Sequence, residues 1–258
     1  MIGAIAGDII GSIYEWHNIK TKDFPLFRPE SCFTDDTVMT CAVAKAIFNG
    51  GSHEDYISCM REIGRHYPNC GYGGHFAEWI QSDSMGPYWS WGNGSAMRVA
   101  PIIWAYDTLE EVERAARISA EVTHNHPAGI TGAQAIAGAG FMARKGESKA
   151  AIKGYVASRF GYDLDRTLDF IRPGYNFDVS CGGSVPEAII AFLESADFED
   201  AIRNAISIGG DSDTIAAMTG AISGAAYGVP AHIRAETLSR LTPELRGIVG
   251  EFDGRYRK

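Results

Sequence analysis

Two stretches of this chain follow the same pattern, and together they restrict its fold more than any other feature. Thr34-Asp35-Asp36-Thr37 runs directly into Val38-Met39-Thr40-Cys41-Ala42-Val43-Ala44, and Gly209-Gly210-Asp211-Ser212-Asp213-Thr214 runs into Ile215-Ala216-Ala217-Met218-Thr219-Gly220-Ala221-Ile222. In each, acids and hydroxyls open what reads as a buried helix. Helix capping is one account, because such side chains take up orphan backbone N–H groups and suit the positive end of the helix dipole. Capping uses one acid, however, and each stretch carries two. Paired carboxylates heading into a core repel and call for a counter-charge. No Lys or Arg lies within five residues of Asp211 or Asp213. A cation would supply that charge, and oxygen-only donors favour Mg²⁺ or Mn²⁺ over Zn²⁺. If both stretches serve one cluster, the two ends of the chain must pack together although Asp36 and Asp213 are 177 residues apart (213 less 36).

The rest of the chain reads as helices. Gly3, Gly7 and Gly11 recur every fourth residue in a segment running to about Trp16. Glycine weakens a helix by up to about 1 kcal/mol, so three on one face imply that another backbone passes close. Asp8 and Glu15, seven apart, are either a solvated acidic edge or, for Glu15, part of the acid cluster. Residues 17–33 form a long loop of the kind that serves as a lid or binding loop. Helices follow from Thr34 to Asn49, from Ser52 or His53 to about Tyr67, and from Gly71 to Ile80. Thr108 caps a helix ending near Val122, and others span Ala128–Ala143, Glu147–Ser158 and Leu164–Ile171. A loop to Ser184 precedes a helix over Val185–Leu193, with Pro186 in its first turn, a position Pro favours. Asp197 caps Phe198–Ser207, and the charged tail from Pro230 closes the surface. Apolar residues keep a helical period with no alternating run, and no linker divides the chain. The expectation is one all-α domain over residues 1–258.

Residues 84–100 are too irregular for an element and too apolar for a plain loop. Tyr88, Trp89 and Trp91 either pack down as a satellite cluster or form a stacking surface for a base. Gly92-Asn93-Gly94 would let a backbone approach a ligand. His124 precedes a Gly- and Ala-rich helix and reads equally as a phosphate contact or a buried structural histidine; His124 and His126, two apart, do not share a helix face.

The net charge of −9 argues against nucleic-acid backbones or an anionic membrane as the main partner. Five cysteines without a C-x-x-C pair suggest reduced thiols in a cytosolic setting. Asp8 interrupts the apolar N-terminal run, which has no basic region ahead of it, and no run approaches the roughly 20 apolar residues of a membrane span. A cytoplasmic protein is expected.

In this order, Gly7-Asp8 through Glu15, Thr34-Asp35-Asp36-Thr37, Gly92-Asn93-Gly94-Ser95-Ala96-Met97-Arg98, Thr123-His124, Ser184-Val185-Pro186-Glu187-Ala188 and Gly210-Asp211-Ser212-Asp213-Thr214 make the chain resemble the ADP-ribosylglycohydrolase family. That family includes dinitrogenase-reductase-activating glycohydrolases and ADP-ribosyl-acceptor hydrolases. The resemblance implies a compact orthogonal all-α domain with two Mg²⁺ or Mn²⁺ ions in a central cleft. It makes Thr34, Asp35, Asp36, Asp211, Asp213 and Thr214 the metal ligands and Glu15 a switchable one. It assigns diphosphate and ribose to Ser90, Trp91, Gly92, Asn93 and Gly94, with Trp91 toward the adenine, and gives His124 a phosphate or ribose contact. Two metals binding ribose hydroxyls and a water would activate C1″, with Glu15 or Asp36 as general base. The bond cleaved passes through an oxocarbenium-like state, and Asp83 is a candidate acid for the leaving group. The partner implied is an ADP-ribosylated protein or a small ADP-ribose conjugate. The rival readings are a phosphohydrolase of a nucleotide diphosphate and a catalytically silent ADP-ribose-binding or structural relative. Neither the acceptor nor the oligomeric state is legible.

Overall fold

The three glycines at every fourth position predict a close helix crossing, and the structure provides one. A computed structural model describes residues 1–256. Helix α1 (Ile2–Gly11) is buried along its whole length, the signature of a helix inside a core rather than on it. A Cβ at Gly3 would lie 2.2 Å from the Gly220 carbonyl oxygen, one at Gly7 2.0 Å from that of Ala216, and one at Gly11 2.5 Å from the Asp213 Cα. Only hydrogen side chains allow this approach. The crossing brings the first helix against the one that opens at Ser212.

The remaining helices among the described residues are α2 (Asp35–Asn49), α3 (His53–His66), α4 (Gly74–Gln81), α5 (Gly94–Met97), α6 (Ile102–Ala105), α7 (Leu109–Glu121), α8 (Pro127–Arg144), α9 (Lys149–Phe160), α10 (Leu168–Ile171), α11 (Cys181–Leu193), α12 (Phe198–Ile208), α13 (Ser212–Ala226), α14 (Ala231–Ser239) and α15 (Pro243–Tyr256). No strand occurs among the described residues; one antiparallel bridge joins Gly92 and Ser180. Helix α13 is the central post, buried from Ser212 to Ser223, and α1, α8, α11 and α12 pack around it. Helices α2 and α3 form the next layer, with α15 on α2. One continuous apolar core runs from Met1 to Phe252. No described helix is long and apolar enough to cross a membrane.

Capping sets most boundaries as anticipated. Ser52 and Thr108 form capping boxes with Asp55 and Glu111, and Asp197 accepts from Asp200 N. Three expectations are corrected. Helix α10 spans only Leu168–Ile171, not Leu164–Ile171, because Thr167 caps it by accepting from Phe170 N at 3.3 Å. Helix α1 stops at Gly11, not near Trp16: the Ser12 hydroxyl donates to Ile9 O at 3.0 Å, and the chain turns so that Tyr14 drops into the core, edge-on to Phe24. Glu15 therefore sits on a turn. Helix α11 starts at Cys181, four residues before Val185, because Ser180 caps it by accepting from Gly183 N at 2.9 Å. Pro186 is consequently inside the helix, where its missing N–H leaves the Gly182 carbonyl without its usual donor.

Candidate active site

The helix caps are made without the acids that flank them. At α2 the Thr34 hydroxyl accepts from Asp36 N at 3.3 Å. At α13 Asp211 occupies the cap position, but its side chain makes no capping bond. Its Oδ2 instead accepts from Asn93 Nδ2 at 2.7 Å. Gly209 and Gly210, both at φ near +75°, make the turn that delivers Asp211. There a side chain would be strained, and a Cβ at Gly210 would lie 2.5 Å from the Tyr175 ring.

The α1–α13 crossing then gathers the carboxylates. Donor oxygens of Asp8, Asp36 and Asp213 lie within 4.8 Å of one another, as do those of Glu15, Asp211 and Asp213. Asp213 belongs to both groups. Asp8 was read only as part of an acidic edge, and that reading is corrected: it is fully buried. It accepts from Thr34 N at 3.0 Å, Thr34 Oγ1 at 2.7 Å, Thr37 N at 3.1 Å and the Thr37 hydroxyl. Asp8 thus ties α1 to the start of α2. Thr214 Oγ1 donates to Asp36 Oδ2 at 3.2 Å, which ties α2 to α13, while Asp36 Oδ1 is buried without a hydrogen-bond partner.

No Lys or Arg among the described residues pairs with any of these acids. Their protonation shows the strain. Burial pushes Asp8 up to about 6 against the pull of its hydrogen bonds. Glu15 rises to about 7, through burial first and then the charges of Asp211 and Asp8. Burial, and then neighbouring carboxylates, hold Asp35, Asp36 and Asp213 well above the usual range. Asp211 is raised by burial, with the Asn93 bond opposing.

All of these acids except Asp8 line a cleft of about 590 Å³, within the ordinary range for small-molecule sites. All thirteen residues singled out above as ligands, base or substrate contacts line it: Glu15, Thr34, Asp35, Asp36, Ser90, Trp91, Gly92, Asn93, Gly94, His124, Asp211, Asp213 and Thr214 make up the wall together with Arg98 and Tyr88. Thr34, Asp35 and Thr214 fall outside the two three-carboxylate groups; the two threonine hydroxyls lie against Asp36 instead. The Gly92–Gly94 backbone is fastened to the start of α11, where Asn93 N donates to Val179 O at 2.8 Å and Cys181 N to Trp91 O at 3.1 Å. Asn93 therefore joins this wall to the acidic end. Trp89 and Trp91 do not pack down as a satellite cluster; they are 59% and 51% exposed, at the rim. Asp83 does not line the cleft and is bonded to Arg65 at 2.6 Å on the surface, so it is no acid for a leaving group. Sequence reasoning also missed Asn18, whose side chain accepts from Gly210 N at 2.7 Å and donates to Gly210 O, Tyr14 O and Glu15 O. It couples the turn bearing Glu15 to the turn bearing Asp211.

The sequence profile of the ADP-ribosylglycohydrolase family matches residues 1–257. ADP-ribosylhydrolase ARH3 of Homo sapiens is 27% identical, over 89% of this chain and 84% of its own. That of Mus musculus is 28% identical over 89% and 83%. A shorter match, 35% identical over 51% of this chain and 48% of the other, is to an uncharacterized protein of Archaeoglobus fulgidus. A solved structure, an ADP-ribosylglycohydrolase-related protein complex, has the same fold: TM-score 0.71 and 24% identity over 97% of this chain and 95% of that one.

Proposed function

Because this chain belongs to the ADP-ribosylglycohydrolase family, we propose that it is a metal-dependent hydrolase that cleaves the glycosidic bond between ADP-ribose and an acceptor, a protein side chain or a small conjugate. The observation that carries this reading is the convergence of six carboxylates from three parts of the chain, five of them lining a cleft whose wall also includes Gly92–Gly94, His124 and Arg98. The acidic end fits hard divalent cations. Every donor there is oxygen, no basic side chain among the described residues neutralises them, and Asp36 Oδ1 is buried and unsatisfied, which native structures rarely leave without an explanation.

Two Mg²⁺ or Mn²⁺ ions would be held by Asp8, Asp36 and Asp213 on one side and Glu15, Asp211 and Asp213 on the other, with Asp213 common to both. Thr34, Asp35 and Thr214 add oxygens around them. Ions so held would supply positive charge for binding ribose hydroxyls and make a nearby water easier to deprotonate.

The chain's own residues do the rest. Gly92, Asn93 and Gly94 let the diphosphate approach the backbone, Ser90 and His124 add polar contacts, and exposed Trp91 offers a face to the adenine side. Asn93 bonds to Asp211 while lining the substrate wall, so it sets the distance from diphosphate to reacting carbon. Glu15, on its turn at the cleft edge, takes a proton from water as the water oxygen bonds to C1″ and the C1″–acceptor bond breaks, its electron pair leaving with the acceptor, which takes a proton from solvent. Asp36 is held by Thr214 and serves as a ligand. The surrounding carboxylates favour the positive charge that develops on the ribose in that step.

Incubation with arginine- and serine-linked ADP-ribose in Mg²⁺ and in EDTA, followed by mass spectrometry, tests the proposal. It predicts intact ADP-ribose, released only with metal. AMP or inorganic phosphate as the product would instead indicate cleavage at phosphorus, and metal-independent release would remove the role given to the acids.

A further inference from the structure

The positive end of the cleft holds a cation with no anion. Arg98, from the segment after α5, is fully buried. Its Nη2 donates to Ser119 O at 2.7 Å and to Thr123 Oγ1 at 2.9 Å. Among the described residues its Nε and Nη1 have no hydrogen-bond partner, and no carboxylate pairs with it. A lone buried guanidinium is costly, so its one side-chain hydrogen bond calls for an explanation.

That contact leads to His124. Thr123 is fully buried, away from bulk solvent, and its hydroxyl lies 2.7 Å from His124 Nδ1. Arg can only donate, so Thr123 Oγ1 accepts from Arg98. Its own proton then has one acceptor within reach, His124 Nδ1. With Nδ1 accepting, a neutral imidazole carries its hydrogen on Nε2. Nε2 faces the glycine wall: a Cβ at Gly94 would lie 3.1 Å from it and one at Gly92 3.6 Å. Burial and the adjacent Arg98 charge both disfavour the imidazolium.

We propose that Arg98 and Thr123 are positioning residues that lock His124 as the Nε2–H tautomer, presenting one fixed hydrogen-bond donor to an oxyanion at the Gly92–Gly94 wall. Arg98 orders the hydroxyl, the hydroxyl orders the ring, and the ring meets the ligand. The ligand identity rests on the ADP-ribose reading above; the lock itself does not.

The test uses the full chain labelled with ¹⁵N at histidine, whose ring nitrogen shifts distinguish the two tautomers and the imidazolium. In the ligand-free wild type, His124 should show an Nε2–H signature near neutral pH. Thr123→Val should mix the tautomers, and Thr123→Ser should restore one. In parallel, Thr123→Val should weaken ADP-ribose binding and raise KM by about ten-fold, the loss expected for one hydrogen bond to a charged group. Its kcat should stay within about two-fold, as for uniform binding, and Thr123→Ser should recover KM. An Nδ1–H or doubly protonated ring in the wild type overturns the lock. So does a Thr123→Val protein with an unchanged tautomer, or one with a mixed tautomer and an unchanged KM. If the folded wild type shows the Nε2–H form but binds no ADP-ribose, the functional reading fails while the lock stands.

Discussion

Replacing Gly7 with alanine tests whether the backbone crossing of α1 and α13 builds the site. The added Cβ would fall 2.0 Å from the Ala216 carbonyl oxygen and 2.8 Å from Ala217 N. Ordinary contact begins at 3.4 Å, and neither neighbour is a side chain that can swing away, so the helices must part by about 1.4 Å (3.4 less 2.0) or rotate. Overpacking of this kind costs about 1–3 kcal/mol, and two rigid backbones put it at the upper end. Alanine returns up to about 1 kcal/mol of helix propensity. The net loss is about 2 kcal/mol, or a melting temperature lower by roughly 4–8 °C for a chain of this size. The change also acts at the site, because Asp8 follows Gly7 and Asp213 opens α13. Separating the helices separates Asp8 from Asp213, and Mn²⁺ affinity should fall with stability. Differential scanning calorimetry and Mn²⁺ titration calorimetry measure the two effects. Gly250→Ala on α15, where a Cβ meets nothing within 4 Å, is the control and should be neutral or slightly stabilising. A Gly7→Ala protein that melts at or above the wild type and binds Mn²⁺ equally well would refute the packing argument.

Three further outcomes follow from the same geometry. Asp213→Ala should abolish metal-dependent activity, since that carboxylate is common to both acid groups, yet raise the metal-free melting temperature by relieving carboxylate repulsion; a lower metal-free melting temperature with activity retained would contradict both halves. Asp8 and Glu15, raised to about 6 and about 7, hold more protons folded than unfolded between about pH 4 and pH 7, so metal-free stability should fall as pH rises through that window. Saturating Mg²⁺ should flatten the dependence, and melting curves at pH 5 and pH 8, with and without metal, measure it; a flat metal-free profile would contradict the coupling. Asn18→Ala should uncouple the Glu15 and Asp211 turns and raise the Mn²⁺ concentration needed for half-maximal activity several-fold with little change in melting temperature; an unchanged metal requirement would remove Asn18 from the site.

Local signals in the sequence were followed closely by the fold. The helical period, the Thr108 cap and the glycines at 3, 7 and 11 each predicted what the chain does, because each acts over three or four residues or states a plain steric need. The doubled acids at 35–36 and 211–213 also predicted their convergence. What escaped notice depends on partners distant in sequence. Asp8 looked like an edge residue because Thr34 and Thr37, which solvate it, are 26 and 29 positions away. Asn18 meets Gly210 across 192 positions. Gly182 and Gly183 read as loop, but the Ser180 cap and core packing outweigh the propensity cost and carry α11 through them. Arg98 stood in a recognised motif, yet only the structure shows that it is buried with no acid beside it.

The central claim is that distant acidic segments fold together around a pair of hard divalent cations. A crystal grown with Mn²⁺ and measured at its absorption edge tests this most directly, because anomalous peaks locate the ions independently of how the carboxylates are built. The account predicts two peaks in the cleft, with Asp213 contacting both, Asp8 and Asp36 near one, and Glu15 and Asp211 near the other. A cleft without anomalous density at saturating Mn²⁺, or ions bound elsewhere while these carboxylates stay protonated and paired with one another, would contradict it.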